Sequence, residues 1–241
     1  MGVCIVPVWA DPAEWQEALE IRLDPGTEVP THGGAESASR HWKAYLDAGA
    51  LSHYKQTRNA FQGPMQSSHL SAWLAHGCIS PRQIWWDTLQ YEQDVEANES
   101  TYWLRFELLW REYFRWYSRA SDWTLFRRTG PSDQVFGFDQ NVRRFESWKT
   151  GHTDCVIVDA AMRELNQTGW MSNRARQLVA SHLIYESNLD WRLGAAYFES
   201  QLVDFDVGSN WGNWAYIAGV GPDPRGGRIF NLDDQADRHD P

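Results

Sequence analysis

The sequence predicts an all-α domain. Three observations carry that prediction. Apolar residues recur at three- and four-residue spacings along most of the chain, cap and glycine signals bracket those runs, and no stretch sustains the alternation of a half-buried strand. Residues 1–10 read as one short strand and 11–23 as a short helix. LDPGTEVPTHGGAES (23–37) is an irregular loop by its Pro and Gly content. Ser37 is positioned to cap a helix to about Asp47, and 51–60 suggests another. Ser71 to His76 is helical and ends at Gly77. SPRQIWWDTLQYEQ starts with Ser80 at the N-cap and Pro81 at N1. Helix 99–119 sets Trp103, Phe106, Trp110, Tyr113 and Phe114 at helical spacing. Residues 138–151 form a helix stopped by Gly151, and VDAAMRELNQTG another stopped by Gly169. An amphipathic helix starts at Ser172. Residues 190–204 read as the last long helix, and 217–241 as a Gly/Pro/Asp-rich loop.

With 241 residues the chain is long enough for one large domain or two small ones. Its 15 Trp exceed what core packing calls for, since each indole needs room and a partner for its N–H. They point to an aromatic cofactor, to stacking partners, or to redox use of the indoles. Net charge is −10 and Lys occurs only at Lys43, Lys55 and Lys149, which disfavours general nucleic-acid binding but leaves room for a local Arg groove. Cys4, Cys78 and Cys155 match neither a disulfide framework nor a zinc pattern, and are too few for an iron–sulfur cluster. The N-terminus fits no signal peptide and no apolar run nears membrane-spanning length, so the expectation is a soluble, cytoplasmic protein without membrane contact.

DFDVGSNWGNWAY (204–216) poses the sharpest question, because alternating carboxylates beside Asn and Gly suit a metal, a cofactor or a turn. Calcium is excluded: an EF-hand loop from Asp204 would place Gly208, Ser209 and Ala215 at its fifth, sixth and twelfth positions. No metal is expected. The chain has no dinucleotide fingerprint and no P-loop. QSSHLS (66–71) sets three hydroxyls and a His before a helix, where free N–H groups favour an anion; Ser67 or Ser68 serves equally as an ordinary N-cap. Glu107, Trp110, Arg111 and Phe114 share a helix face, as do Asn173 and Arg176. Spacing alone reads the first set as a structural ion pair or as part of a polar site, with Asp204 and Asp206 as partners for the arginines.

Five blocks then resemble, in order, the FAD-binding domain of photolyases and cryptochromes: YKQTRNAFQGPMQSSHLSAWLAHGCISPRQI, STYWLRFELLWREYFRW, VDAAMRELNQTGWMSNRARQLVASHL, LDWRLGAAYFE and DVGSNWGNWAYIAGVGPDPR. The wording is most similar to the DASH cryptochromes. The resemblance divides the chain into an extension, 1–32, and an FAD-binding domain, 33–241. It implies an all-helical fold and FAD as cofactor. By position, Tyr54, the loop Ser67, Ser68, His69, Leu70 and Ser71, and Arg111 would hold the phosphates. Asn173, Arg176, Asp204, Phe205, Asp206 and Asn210 would surround the flavin, with Arg176 pairing Asp204 and Asn210 facing flavin N5. The family's tryptophan relay maps onto Trp214, then Trp191, then Trp148 at the surface. Glu107 and Trp110 would meet a cyclobutane pyrimidine dimer flipped out of DNA, with Arg58, Arg174, Tyr216 and Gln235 as further DNA contacts. Tyr216 fits a preference for single strands.

Departures accompany the resemblance. Only some thirty residues precede the match, so no N-terminal antenna domain and no folate antenna are expected in this chain; a separate antenna subunit or a homodimer would cover the exposed faces. His69 replaces the usual Lys or Arg of the phosphate loop, and Asp154, Cys155 and Val156 replace the usual Gly, aromatic and Pro. The implied activities are a photolyase-like lyase acting on damaged DNA, or a minimal cryptochrome signalling to a protein partner. A remnant that has lost FAD fits least, given so many retained cofactor positions.

Overall fold

The structure, a computed structural model, describes residues 32–61, 63–132, 137–139, 141–223, 226–232 and 234–235. The expected strand over 1–10 and helix over 11–23 lie outside them. Ten α-helices are found among the described residues: α1 Ala35–Asp47, α2 Tyr54–Thr57, α3 Ser71–Ala75, α4 Pro81–Asp94, α5 Glu99–Ser121, α6 Val142–Thr150, α7 Val156–Thr168, α8 Asn173–Ser181, α9 Trp191–Gln201 and α10 Val207–Ile217. A single bridge, Asp139 to Leu189, is the extent of β pairing among them.

Local chemistry explains most of the boundaries. Ser80 accepts from the Arg82 N–H and Ser172 from the Ala175 N–H, each satisfying an otherwise free donor. Asn98 opens α5 with a reciprocal capping box, its side chain bonded to the N–H groups of Ser100 and Thr101 while Thr101 returns the contact. Gly151 and Gly169 stop α6 and α7 in the left-handed region, at φ 67° and 69°. Cys155 is the N-cap of α7, and the turn before it is held by Asp159 accepting from the Thr153 N–H and hydroxyl, both at 2.7 Å.

The helix expected over 138–151 begins only at Val142, behind its N-cap Asn141, and three further elements differ from expectation. The helix ascribed to Ser37 starts earlier, after Gly34, and Ser37 lies inside it. The helix expected over 51–60 starts one residue sooner, after Gly49 at φ 68°, and splits into a 3-10 turn, Ala50–His53, and the single turn α2, because His53 leaves the helical region at φ −116° and ψ 0°. The third corrects the sequence reading: α9 is not the last long helix. α10 follows it, capped by Asp206, whose side chain accepts from the Ser209 N–H at 2.8 Å. Gly208 and Gly212 depress its intrinsic propensity but serve its packing. A Cβ on Gly212 would lie 2.4 Å from the Phe114 ring, and one on Gly208 would lie 3.1 Å from the Phe114 carbonyl, so α10 presses against α5 only because both positions are bare.

The interior has two hydrophobic clusters. One gathers Trp42, Tyr45, Leu51, Trp73, Ile84, Leu104 and Leu108 from α1–α5. The other gathers Trp148, Met162, Val179, Trp191, Phe198 and Trp214, mostly from α6–α10. α5 belongs to both halves: Leu104 and Leu108 enter the first cluster, and its C-terminal half carries Phe114 against α10. The seam between the clusters is where polar groups can be buried without disrupting either.

Candidate functional site

A cavity of about 290 Å³ opens at that seam, bounded by Tyr54, Leu70, Leu104 and Leu108 on one side and by Met171, Ala180, Phe198, Leu202 and Trp214 on the other. Beyond His69, Ser71 and Trp170, which border both, lies a second cavity of about 420 Å³ lined by His41, Phe61, Glu164 and Thr168. Together they are in the size range of a cofactor site.

The cavity's polar fittings come from three helices and one loop. α8 presents Asn173, Arg176 and Gln177 on one face. α10 presents Asp206, Ser209, Asn210 and Asn213 at i, i+3, i+4 and i+7, a polar face toward the cavity. α5 supplies Glu107 and Arg111, and the loop supplies Ser67, Ser68, His69, Leu70 and Ser71. Neither Ser67 nor Ser68 caps α3; its N-cap is Leu70, without a side-chain bond.

The centre of the arrangement is an ion pair. Arg176 reaches Asp204 Oδ2 at 2.8 Å while its Nε–H is fixed on the Met171 carbonyl at 2.9 Å. Burial pushes the Asp204 carboxyl up, but the Arg176 guanidinium, helped by the Ser71 hydroxyl and the Asp204 N–H, outweighs it and holds the carboxyl below the usual carboxylate range. Its other oxygen, Oδ1, is buried with no partner in hydrogen-bonding geometry, although the Ser71 hydroxyl is near enough to lower the pKa. A buried acceptor facing a cavity without a partner is a demand for a donor from a ligand.

Glu107 occupies the opposite wall. Burial raises its pKa, opposed by Arg58 at 2.6 Å and by the Trp103 indole N–H at 3.0 Å. Burial likewise keeps the Tyr54 phenol protonated well beyond its usual range, reinforced by the Glu107 charge. Arg111 is partly engaged, with Glu112 at 3.0 Å and the Leu74 carbonyl at 3.3 Å. Asn210 lines the cavity while its amide donates to the Ala195 carbonyl at 2.9 Å, which fixes its orientation.

His69 sits at φ 48°, its Nε2 on the Gly63 carbonyl at 3.2 Å and its ring 5.0 Å from that of Trp170. Burial lowers its pKa and that of His182 below the ordinary 6.5. As pH falls through that value the unfolded chain takes up protons that the folded one resists, so stability is full above it and declines below. His69→Gln should flatten this decline, read from urea midpoints at about pH 7.5 and about pH 5.5. An unchanged pH slope would show that His69 titrates freely in the fold.

Beside the cavity stand residues that the resemblance assigned to DNA. Arg58 lines the wall itself. Trp110 does not line it but meets Tyr216 edge-on, ring centroids 6.4 Å apart. Burial lowers the pKa of Arg174, and the charges of Arg58 and Arg228 lower it further, so three guanidiniums converge despite the acidic composition. Gln235 is not among the lining residues. Arg228 escaped the sequence reading; it bonds the Tyr216 hydroxyl and lies 3.1 Å from Asp223. Trp170, Gln177, Ser209 and Asn213 were also missed. Gln177 was readable as the i+4 neighbour of Asn173, and Ser209 and Asn213 once α10 is a helix.

The relay residues do not all fall where expected. Trp214 lines the cavity and is nearly buried. Trp191 is fully buried, its ring 5.7 Å from Trp211. Trp148, assigned to the surface, is 0% exposed. It lies on the inner face of α6 beside Phe145, packs on Phe198 and Trp214, and gives its N–H to the Val179 carbonyl. Position along the chain did not reveal that inner face.

The model of the FAD binding domain of DNA photolyase matches residues 103–241, more than half of the chain. The chain belongs to this family. A cryptochrome DASH of Vibrio parahaemolyticus is 55% identical over 209 residues, covering 87% of this chain and 47% of the relative. Among solved structures, a Synechocystis cryptochrome superposes with a TM-score of 0.87 at 45% identity, covering 92% of this chain and 46% of that one. A class III photolyase of Agrobacterium tumefaciens gives 0.79 at 32% identity, covering 96% and 46%. The chain thus spans about half the length of the relatives it matches. The fold is the helical FAD-binding domain of photolyases and cryptochromes, and FAD is its cofactor. Among the described residues no group of three His, Cys, Asp or Glu is placed to hold a metal, and no helix is long and apolar enough to cross a membrane.

Proposed function

We propose that residues 33–241 hold FAD in the seam cavity and use blue light to split cyclobutane pyrimidine dimers, preferentially in single-stranded DNA. The observation that carries this reading is one cavity lined by two kinds of group. The buried Arg176–Asp204 pair, with its unpartnered Oδ1, suits a polar cofactor, and the half-buried Glu107 carboxyl paired with Arg58, near Arg174 and Arg228, suits a lesion flanked by phosphates. When bound, FAD supplies the blue-light chromophore and the one-electron donor. Tyr54, Ser67 to Ser71 and Arg111 would hold its phosphates, and Asn173, Arg176, Asp204, Phe205, Asp206 and Asn210 its flavin side. Glu107, whose burial keeps its proton to higher pH, would hydrogen-bond a pyrimidine carbonyl, while Trp110 and Tyr216 pack the flipped bases and the three arginines bind phosphates.

Blue light with a reductant should reverse dimers in an oligo-dT strand. Glu107→Ala should slow this about 10- to 100-fold, the worth of one hydrogen bond to the negative charge that the dimer gains, about 1.5–3 kcal/mol. A second reading, signalling to a protein, is favoured by the charge of −10 and by the exposed row Tyr102, Leu109, Tyr113 and Trp116 along α5. Absence of dimer reversal at saturating DNA in flavin-loaded protein would replace the first reading with the second.

A further inference from the structure

We propose that Trp211, with Glu199 as its proton acceptor, is the surface end of the indole relay that begins at Trp214. The inference rests on reading Trp214 as the indole that first supplies the flavin. A relay must finish where a solute can restore the lost electron and where a proton can leave; otherwise the charge recombines. The two expected outer members offer neither. Trp148 and Trp191 are fully buried, and their N–H groups bond backbone carbonyls, of Val179 at 2.9 Å and Arg128 at 3.1 Å, which do not take up a proton.

Trp211 meets both needs. It is half-buried, and its Nε1–H donates to Glu199 Oε2 at 2.8 Å, where Glu199 is exposed to water. Two routes lead to it. Its ring stands 5.7 Å from that of Trp191, and it lies one turn before Trp214 on the same face of α10. The carboxylate also favours positive charge on the indole, so it lowers the energy of a hole there relative to the carbonyl-bonded indoles.

The electron count closes. Excitation draws one electron from Trp214, which Trp211 replaces directly or through Trp191. The Trp211 radical cation passes its N–H proton to Glu199 and on to water. A soluble thiol then returns a hydrogen atom to the neutral indolyl, and two thiyl radicals couple to a disulfide. Each turnover of the relay therefore moves one electron from thiol to flavin and releases one proton.

Transient absorption of flavin-loaded protein after a blue flash tests this. Trp211→Phe should shorten the lifetime of the indole radical and lower the yield of thiol-dependent photoreduction by an order of magnitude. Flavin content should be unchanged, Trp211→Tyr should restore the yield, and Trp86→Phe, an exposed indole on α4, should have no effect. Glu199→Gln keeps an acceptor for the N–H but no base, so the radical band should remain that of the protonated indole. Peptide mapping after illumination without thiol gives a readout separate from photoreduction: an oxygen adduct on Trp211 that disappears in Trp214→Phe. If Trp214→Phe abolishes photoreduction while Trp211→Phe matches the wild type, Trp211 is not the terminus and the relay ends elsewhere. If neither variant changes the yield, the reading of Trp214 itself fails.

Discussion

Arg176→Met destabilises the domain by about 3–5 kcal/mol, the cost of leaving one member of a buried ion pair without its counter-charge. The Asp204 side chain is 2% exposed, and its second oxygen lacks a partner, so loss of the guanidinium leaves a buried carboxylate without its counter-charge. The lowered pKa of Asp204 sets the sign of the pH dependence. In the wild type the pair stabilises fully above the unfolded carboxyl value and loses that contribution as pH falls through the folded one. In the variant the guanidinium no longer opposes burial, which pushes the Asp204 pKa up, so the penalty shrinks as the solution is acidified. Arg176→Lys should recover little, because one ammonium cannot hold the Met171 carbonyl and the carboxylate at once. Asp204→Asn should recover part of the loss in the Arg176→Met background by removing the orphaned charge. Urea unfolding of the two single variants and the double variant gives the coupling energy. A loss below about 1 kcal/mol for Arg176→Met would show a pair already open to solvent.

The same pair shows what sequence could and could not deliver. Arg176 and Asp204 are 28 residues apart, so no periodicity couples them; the ordered motif blocks did. Local signals were legible where side chain and backbone meet within a few residues, as with Ser80, Ser172, Gly151 and Gly169. They failed at α10, where glycine and asparagine argue against a helix and the compensating force, close approach to Phe114 on α5, is tertiary. They failed again at Trp148, because an apolar residue's place in a motif does not reveal which way its helix face turns. Arg228 was hidden for a third reason. It lies in a loop, and its closeness to Tyr216 and Arg174 depends on the turn after α10, where the Arg228 N–H returns to the Ile217 carbonyl at 3.0 Å.

Gly194→Ala should cost about 1–3 kcal/mol, although alanine is the better helix former by about 1 kcal/mol. The added Cβ would stand 2.2 Å from Cη2 of Trp214 and 2.6 Å from Cζ3, distances at which one group must move. The indole cannot yield easily. The Phe198 and Trp148 rings pack edge-on against it, at centroid separations of 5.2 Å and 6.2 Å, and each is buried. The helices α9 and α10 must therefore separate, or Trp214 must leave its rotamer and push into the cavity it lines. Either movement alters flavin content or the rate of photoreduction together with stability, which a purely local helix effect would not do. Trp214→Phe removes the atoms in conflict, so Gly194→Ala should be nearly neutral in that background, a coupling on the order of the single-variant loss. Additive losses in the double variant would mean that the indole already has room to shift, and that Gly194 is bare for some reason other than the ring above it.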